Sequence, residues 1–275
     1  GHDPLPGITR FLGGCAARYL IIFSVIGFNM LRKDTTQIIH KTREDYNRIA
    51  KYFDSARNNA GELVMFKKFI KNGQNILDWG CGNGRLVFLL KNKRVSYFGA
   101  DQSEELLKIA RKNFKKEIKE GWAKFYSTAK KEKKFKNDFF DLVFMVASFH
   151  HLPDEKSRLN LLQQVYKQLK SGGKLIITVW NLASDWAKEK LNKDWKKISE
   201  NDVLVPWKNP QGEQLAERYY HHFSKEELSG LLKEAGFRIE KMDYHTRTNW
   251  SDKKGGRNLI AVAQKCYTVS SRVRP

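Results

Sequence analysis

Asp78, Gly80, Gly82, Gly84 and Asp101 are the residues whose types and spacing suit ligand chemistry. Asn75 to Arg85 reads N-I-L-D-W-G-C-G-N-G-R, an apolar run that ends at an acid and passes into alternating glycines. Glycine has no Cβ, so such a backbone can turn sharply and lie against a bound molecule. A dinucleotide loop, G-x-G-x-x-G, needs a glycine where Arg85 stands, and the Gly-Lys-Ser/Thr ending of a Walker loop is missing. Asp101 follows the glycines by about 20 residues, the spacing at which an acid accepts from ribose hydroxyls. Two hydroxyls on adjacent carbons match the two oxygens of one carboxylate.

Strands and helices must hold these residues in place. The pattern predicts strands at Asn75–Trp79, Val95–Ala100, Lys124–Ser127, Asp141–Val146 and Lys174–Trp180, with helices between them. Leu86 to Leu90 is expected to begin a helix whose amides face the ligand. Ser103 is the expected cap of the helix after Asp101, and Asp154 of the helix after Asp141–Val146. Helices over Thr42–Arg57 and Gly61–Ile70 precede the first strand and are expected over the ligand cleft or in the core. Ser224-Lys225-Glu226-Glu227 is a capping box, and Phe237–Tyr244 with Asn258–Ala263 forms a hairpin. The fold class is α/β: a doubly wound, Rossmann-like sheet of seven strands, mostly parallel, with a C-terminal antiparallel hairpin. Residues 42–264 form the domain, 1–41 an N-terminal extension and 265–275 a tail. Residues 181–223 interrupt the alternation with Trp186, Trp195 and Trp207 and read as a lid on the substrate side.

Lys plus Arg number 51 against 30 Asp plus Glu, a formal charge of +21, which favours a polyanionic partner, RNA or DNA before membrane. Lys130 to Lys136 is a basic loop suited to phosphate or to solvent. Cys15, Cys81 and Cys266 lie far apart with no C-x-x-C pair, so no zinc or other metal site is expected, and the compartment is reducing, hence cytoplasmic. Tyr19 to Met30 is apolar but shorter than the about 18 residues of a spanning helix, so a membrane partner is not expected. Met30 is the expected natural start, with residues 1–29 dispensable.

D-x-G-x-G-x-G over Asp78–Gly84 resembles the first motif of class I S-adenosylmethionine (AdoMet)-dependent methyltransferases. Y-N-x-I-A-x-x-F with Arg57, His150-His151-Leu152, V-P-W (Val205–Trp207), R-Y-Y-H (Arg218–His221) and Asn249-Trp250 narrow the likeness. Together they resemble the tRNA methyltransferases that esterify 5-carboxymethyluridine at the wobble position, including the methyltransferase domain of the AlkB-homologue tRNA enzyme. The resemblance implies AdoMet as cofactor, with Asp78 toward its cationic end and Asp101 on its ribose. It adds Gly80, Cys81, Gly82, Asn83, Gly84, Gln102, Thr128 and Val146 as cofactor-binding residues. Thr128 stands where relatives usually carry an acidic or polar adenine contact. Arg57 and Arg218 are the expected substrate-orienting cations, with His221 beside them. Tyr46, His150, Trp207, Tyr219, Tyr220 and Trp250 are the expected substrate contacts. The expected partner is tRNA, with the option of a small zinc-binding activator subunit, since some relatives require one. A methyltransferase of a small molecule or another RNA site, and a non-catalytic RNA-binding scaffold, stay open as other readings.

Overall fold

The structure, a computed structural model, describes residues 15–129, 135–246 and 249–266, with side chains from Thr35 onward. The stretch before Cys15, most of the basic loop at 130–134 and the tail after Cys266 lie outside the described residues. The chain runs α1 (Cys15–Ala56), β1 (Asn75–Trp79), β2 (Ser96–Asp101), α2 (Glu104–Asn113), α3 (Lys115–Lys119), β3 (Ala123–Ser127) and β4 (Phe140–Val146). It continues α4 (Glu155–Gln168), β5 (Leu169–Trp180), α5 (Asp185–Leu191), β6 (Lys196–Lys197), β7 (Asp202–Lys208) and β8 (Gln214–His221). It closes with α6 (Lys225–Glu234), β9 (Phe237–His245), β10 (Trp250–Ser251) and β11 (Asn258–Lys265).

The main sheet has the order β10-β9-β11-β5-β4-β1-β2-β3. Strands β1 to β5 pair in parallel, and β11 runs antiparallel between β5 and β9. The seven expected strands are present, and two-residue β10 adds an eighth at the edge. Strand β4 shows why its sequence is almost wholly apolar. Leu142 and Phe144 enter the core on one face of the sheet, Val143 and Met145 the core on the other. Helices α2, α4, α5 and α6 start at Ser103, Asp154, Ser184 and Ser224, each of whose side chains accepts from a backbone amide of the first turn.

Two local expectations change. Arg85–Leu89 and Gly61–Phe69 are 3₁₀ segments rather than α-helices, and neither Gly84 nor Ala60 supplies a side-chain cap. Strand β5 begins at Leu169, pairs with Phe140, bulges through Gly172 at φ +76°, and resumes pairing at Lys174 with Leu142. The insertion is ordered as α5 and a separate antiparallel sheet, β6-β7-β8, over a small core of Leu182, Ala187, Val203, Val205 and Tyr220. Trp180, Trp186 and Trp195 pack against that core. One helix, α1, runs unbroken through position 42 and packs on β8 and α2.

The turn after β1 passes close to the end of β4. Gly80 sits at φ +78°, and a Cβ there would lie 2.3 Å from Cβ of Ser148, just beyond β4. Ser148 Oγ donates to the carbonyl of Trp79 at 2.9 Å, which holds the two strand ends together. Gly80→Ala combines left-handed strain with that overlap and should lower unfolding stability by ~2 kcal/mol or more in urea denaturation. A loss below ~0.5 kcal/mol contradicts this packing.

Candidate active site

A cavity of about 450 Å³ opens at the C-terminal ends of β1 to β5, within the size range of small-ligand sites. In an open parallel sheet that end is where ligands bind, because loops and helix starts converge there. Asp78, Gly80, Cys81, Gly82 and Asn83 line its floor, with Asp101, Gln102, Thr128 and Val146 beside them. Gly84 does not line it. At φ +79° it opens the 3₁₀ segment, and a Cβ would press on the rings of Phe125 and Phe114.

The two acids differ in their bonds. Asp101 accepts from the Gly82 amide (2.8 Å) with Oδ2 and from the Ser103 amide (2.8 Å) with Oδ1. Each oxygen therefore keeps a lone pair for a hydroxyl. Asp78 accepts from the Tyr97 hydroxyl at 2.9 Å. Burial pushes the Asp78 carboxyl up to about 7, against the pull of the Tyr97 hydrogen bond. Burial also raises Asp101, opposed by the amides of Ser103 and Gly82, and pushes the Cys81 thiol far up, so Cys81 is no nucleophile.

Helix α1 roofs the cavity with Tyr46, Phe53 and, just past its end, Arg57. Asn47 Oδ1 accepts from Ser103 Oγ (2.7 Å), while Asn83 donates to Asp54 (2.8 Å) and to the carbonyl of Arg57 (2.9 Å). These bonds fasten the roof to the glycine turn and to the start of α2. Arg57 lies 3.9 Å from Glu62 and stacks 5.5 Å over Phe53, and burial followed by the charge of Arg85 lowers its pKa.

The far wall comes from the insertion. Arg218 and Tyr220, two residues apart on β8, both line the cavity. Arg218 is 4% exposed, and its guanidinium stands 5.0, 5.3 and 5.6 Å from the rings of Trp207, Tyr220 and Tyr46. Nη1 donates to the hydroxyls of Tyr220 (2.8 Å) and Tyr46 (3.4 Å). Nε is buried without a hydrogen-bond partner, and Arg218 forms no ion pair among the described residues. A buried guanidinium in that state is a receptor for an anion. Trp207 backs Arg218 and Phe53 (6.1 Å) from behind the wall.

Besides Gly84 and Trp207, four more expected site residues stand elsewhere. Tyr219 and His221 alternate with Arg218 and Tyr220 along β8, so their side chains leave on the opposite face. Tyr219 donates to Asp202, and the His221 ring lies between Asp202 (Nδ1, 2.7 Å) and Glu227 (Nε2, 2.9 Å). Arg158 of α4 reaches the same Glu227 at 3.1 Å. His221 thus joins the insertion to the main domain and does not face the cavity. His150 is wholly buried behind the wall: its Nδ1 accepts from the Trp180 amide, and its ring packs 4.6 Å from Tyr220. Its neighbour His151 lines the cavity instead, because the 3₁₀ turn Phe149–His151 points successive side chains apart. Trp250 lies at the sheet edge, under Lys241 (3.7 Å) and beside a separate groove with Phe66 and Val262. Trp180 was not expected. It lines the cavity and stacks on Tyr220 at 4.5 Å, and its place at the end of a parallel strand is the signal that marks it.

His221 is raised because two carboxylates flank its ring, which outweighs burial. Against burial, hydrogen bonds from His221, Ser199 and Tyr219 pull Asp202 down to about 2. A raised histidine contributes its stability fully below the unfolded value of about 6.5 and loses it as pH rises through the folded value. The stability gap between the native chain and His221→Gln should therefore be larger at pH 6 than at pH 8.5 in denaturant titrations. A gap that is constant or grows with pH refutes the pairing.

Residues 40–242 match a family model described as a methyltransferase domain. The chain is 30% identical over 226 residues to a Schizosaccharomyces pombe protein named tRNA (carboxymethyluridine(34)-5-O)-methyltransferase, covering 74% of this chain and 91% of that one. In two other relatives the chain spans only 40% and 38% of a longer protein. Among solved structures, it superposes on a SAM-dependent methyltransferase from Methanosarcina mazei with TM-score 0.57 at 24% identity, over 74% of this chain and 98% of the other. It superposes equally on a chain from the complex of the Haloferax volcanii Trm112 methyltransferase activator with a methyltransferase, with TM-score 0.59 at 16% identity, covering 82% and 98%. The cavity fits AdoMet on its own terms. It has the size, an acid toward each end of a glycine cradle, and at Gly82 a position where a Cβ would already touch Phe53 at 3.4 Å.

Proposed function

Because the chain belongs to the tRNA carboxymethyluridine methyltransferase family of AdoMet-dependent enzymes, we propose that it methylates the carboxylate of 5-carboxymethyluridine at the wobble position of tRNA. The observation that carries this reading is Arg218: buried, lining the cavity, and in no ion pair among the described residues, with Asp45 acting on it only through its charge. A carboxylate is the anion that a guanidinium edge takes with two parallel hydrogen bonds.

AdoMet, when bound, supplies a methyl group on a positively charged sulfur. Asp78 and Asp101 would hold the cofactor end, the first toward its positive charge and the second toward its ribose. An acceptor carboxylate is already ionised at neutral pH, so its methylation would need no general base from the protein. What remains for the protein is alignment and exclusion of water. Arg218 and Arg57 orient the carboxylate from the wall and the roof, while Tyr46, Tyr220 and Trp180 enclose the uridine. Orientation through one guanidinium edge leaves the carboxylate lone pairs for attack. The formal charge of +21 serves the tRNA backbone.

The likeness to a chain from an activator complex supports a small activator subunit as a further partner. No helix among the described residues is long and apolar enough to cross a membrane. A tRNA acceptor and widely separated cysteines agree with a reducing cytoplasm. Residues 42–264 serve as the catalytic domain, with 181–223 as its substrate-side wall.

Mass spectrometry of wobble nucleosides, after incubation of carboxymethyl-bearing tRNA with AdoMet and the chain, tests the acceptor. Methylation only at another position would replace it. Arg218→Ala should cut transfer tenfold or more, about 1.4 kcal/mol or above, with AdoMet affinity nearly intact. Undiminished turnover in that variant rejects the role. Binding of a cation favours ionised Asp78, so AdoMet should bind several-fold more weakly at pH 6 than at pH 8, and Asp78→Asn should flatten that dependence. Calorimetric affinities that match at both pH values in the native chain exclude the contact.

A further inference from the structure

The acceptor end contains one histidine whose tautomer is fixed by its partners. His151 Nδ1 lies 2.7 Å from the carbonyl oxygen of Tyr219, which can only accept, so Nδ1 carries the proton. Nε2 is then a lone pair, and it takes the hydroxyl proton of Tyr46 at 2.9 Å. Burial keeps the ring neutral, pushing it down to about 3. With its proton committed, the Tyr46 oxygen has only lone pairs for its other neighbours, Nη1 of Arg218 at 3.4 Å and the Tyr220 hydroxyl. The reverse orientation would set an O–H against an N–H beside a buried positive charge.

The second hydrogen on Nη1 goes to the Tyr220 hydroxyl at 2.8 Å. Both hydrogens of Nη1 are thereby spent on the two tyrosines. The rings of Trp207, Tyr220 and Tyr46 surround the guanidinium, and the two hydroxyls fix the direction of Nη1. The edge formed by Nε and Nη2, with its two parallel N–H bonds, is left for a ligand, and Nε has no partner among the described residues.

We propose that His151 is a positioning residue: by accepting the Tyr46 proton it turns a hydroxyl lone pair onto Arg218 and so sets which guanidinium edge the acceptor carboxylate meets. This rests on the acceptor reading above and adds a tautomer and an order of bonds to it. His151 does not serve as a base here, since its lone pair is occupied and ester formation releases no proton.

The test compares the native chain with Tyr46→Phe, His151→Phe, His151→Gln and the double variant Tyr46→Phe/His151→Phe on carboxymethyl-bearing tRNA. Calorimetry gives the AdoMet affinity of each. Each single Phe variant should lower kcat/KM about five- to tenfold, mainly through KM, and the double variant should fall no further than the worse single one. His151→Gln, whose Oε1 can accept the Tyr46 proton, should recover most of the loss. At a fixed pH the AdoMet affinity should stay within about twofold across the variants, and at saturating AdoMet the native turnover should be flat from about pH 6 to 8.5. Additive losses, no recovery by Gln at intact AdoMet affinity, or a break near the ordinary imidazole value would each overturn the proposal. If His151→Phe fails to fold, Tyr46→Phe and His151→Gln carry the comparison. If the native chain leaves carboxymethyluridine unmethylated, the acceptor reading falls, and nitrogen-15 NMR of His151 decides the tautomer by itself. A proton on Nδ1, with an Nε2 resonance that moves in Tyr46→Phe, supports the relay, and a proton on Nε2 overturns it.

Discussion

Strand β8 has two faces, and the site depends on which residues each one carries. A one-residue slip would turn Arg218 and Tyr220 away from the cavity and bring Tyr219 and His221 into it. The register is held from three directions. Strand β7 pairs Val205 with Arg218 and Asp202 with His221, and Asp202 also takes hydrogen bonds from both Tyr219 and His221. Helix α1 reaches over with Lys41 to the carbonyl of Glu217 (2.7 Å) and Arg48 to that of Leu215 (3.2 Å). Glu227 and Arg158 complete the anchor from the main domain. The buried charge on one face of β8 is thus positioned by the ion pairs on the other.

The cavity itself is polarised. Buried acids lie on the side of the glycine turn, where Arg85 also lines the cavity and pairs with Glu62, and Arg218 lies on the side of the insertion. The acids suit a positive ligand group and Arg218 a negative one. Stacking holds Arg218 without neutralising it, because aromatic faces stabilise a cation yet leave its N–H edge available. A carboxylate in place of those rings would have stabilised the empty wall and spent the edge.

The turn Asp78–Gly84 and Asp101 were legible in the sequence because their geometry is local: a strand end, left-handed glycines and a fixed spacing to the next strand. The sheet was legible for the same reason, as each strand announces itself through its own apolar run. The acceptor wall was less so. R-Y-Y-H names the strand that builds it but not which two side chains face inward, since that is set by pairing with β7. His150 and His151 pose the same problem inside a three-residue 3₁₀ turn. Asn249-Trp250 is close to the site in pattern only, because β10 carries it to the outer edge of the sheet. The 3₁₀ segments escaped an apolar-period reading because buried residues look alike in either kind of helix.

Helix α1 turns these separate constraints into one. Its string Y-N-x-I-A-x-x-F divides by direction. Tyr46 and Phe53, seven residues apart, face the cavity; Asn47 bonds Ser103 at the start of α2; Ile49 and Ala50 are buried. Asp54, one residue on, accepts from Asn83 in the glycine turn and from Asn113 at the end of α2. The same helix therefore touches the residues that would hold the cofactor and, through Tyr46, the arginine that would hold the acceptor. A displacement of α1 cannot open one half of the cavity without disturbing the other, because both halves share its hydrogen bonds. That coupling gives a short stretch before the first strand, with no acid, base or nucleophile of the reaction in it, a direct part in the alignment of the two reacting groups.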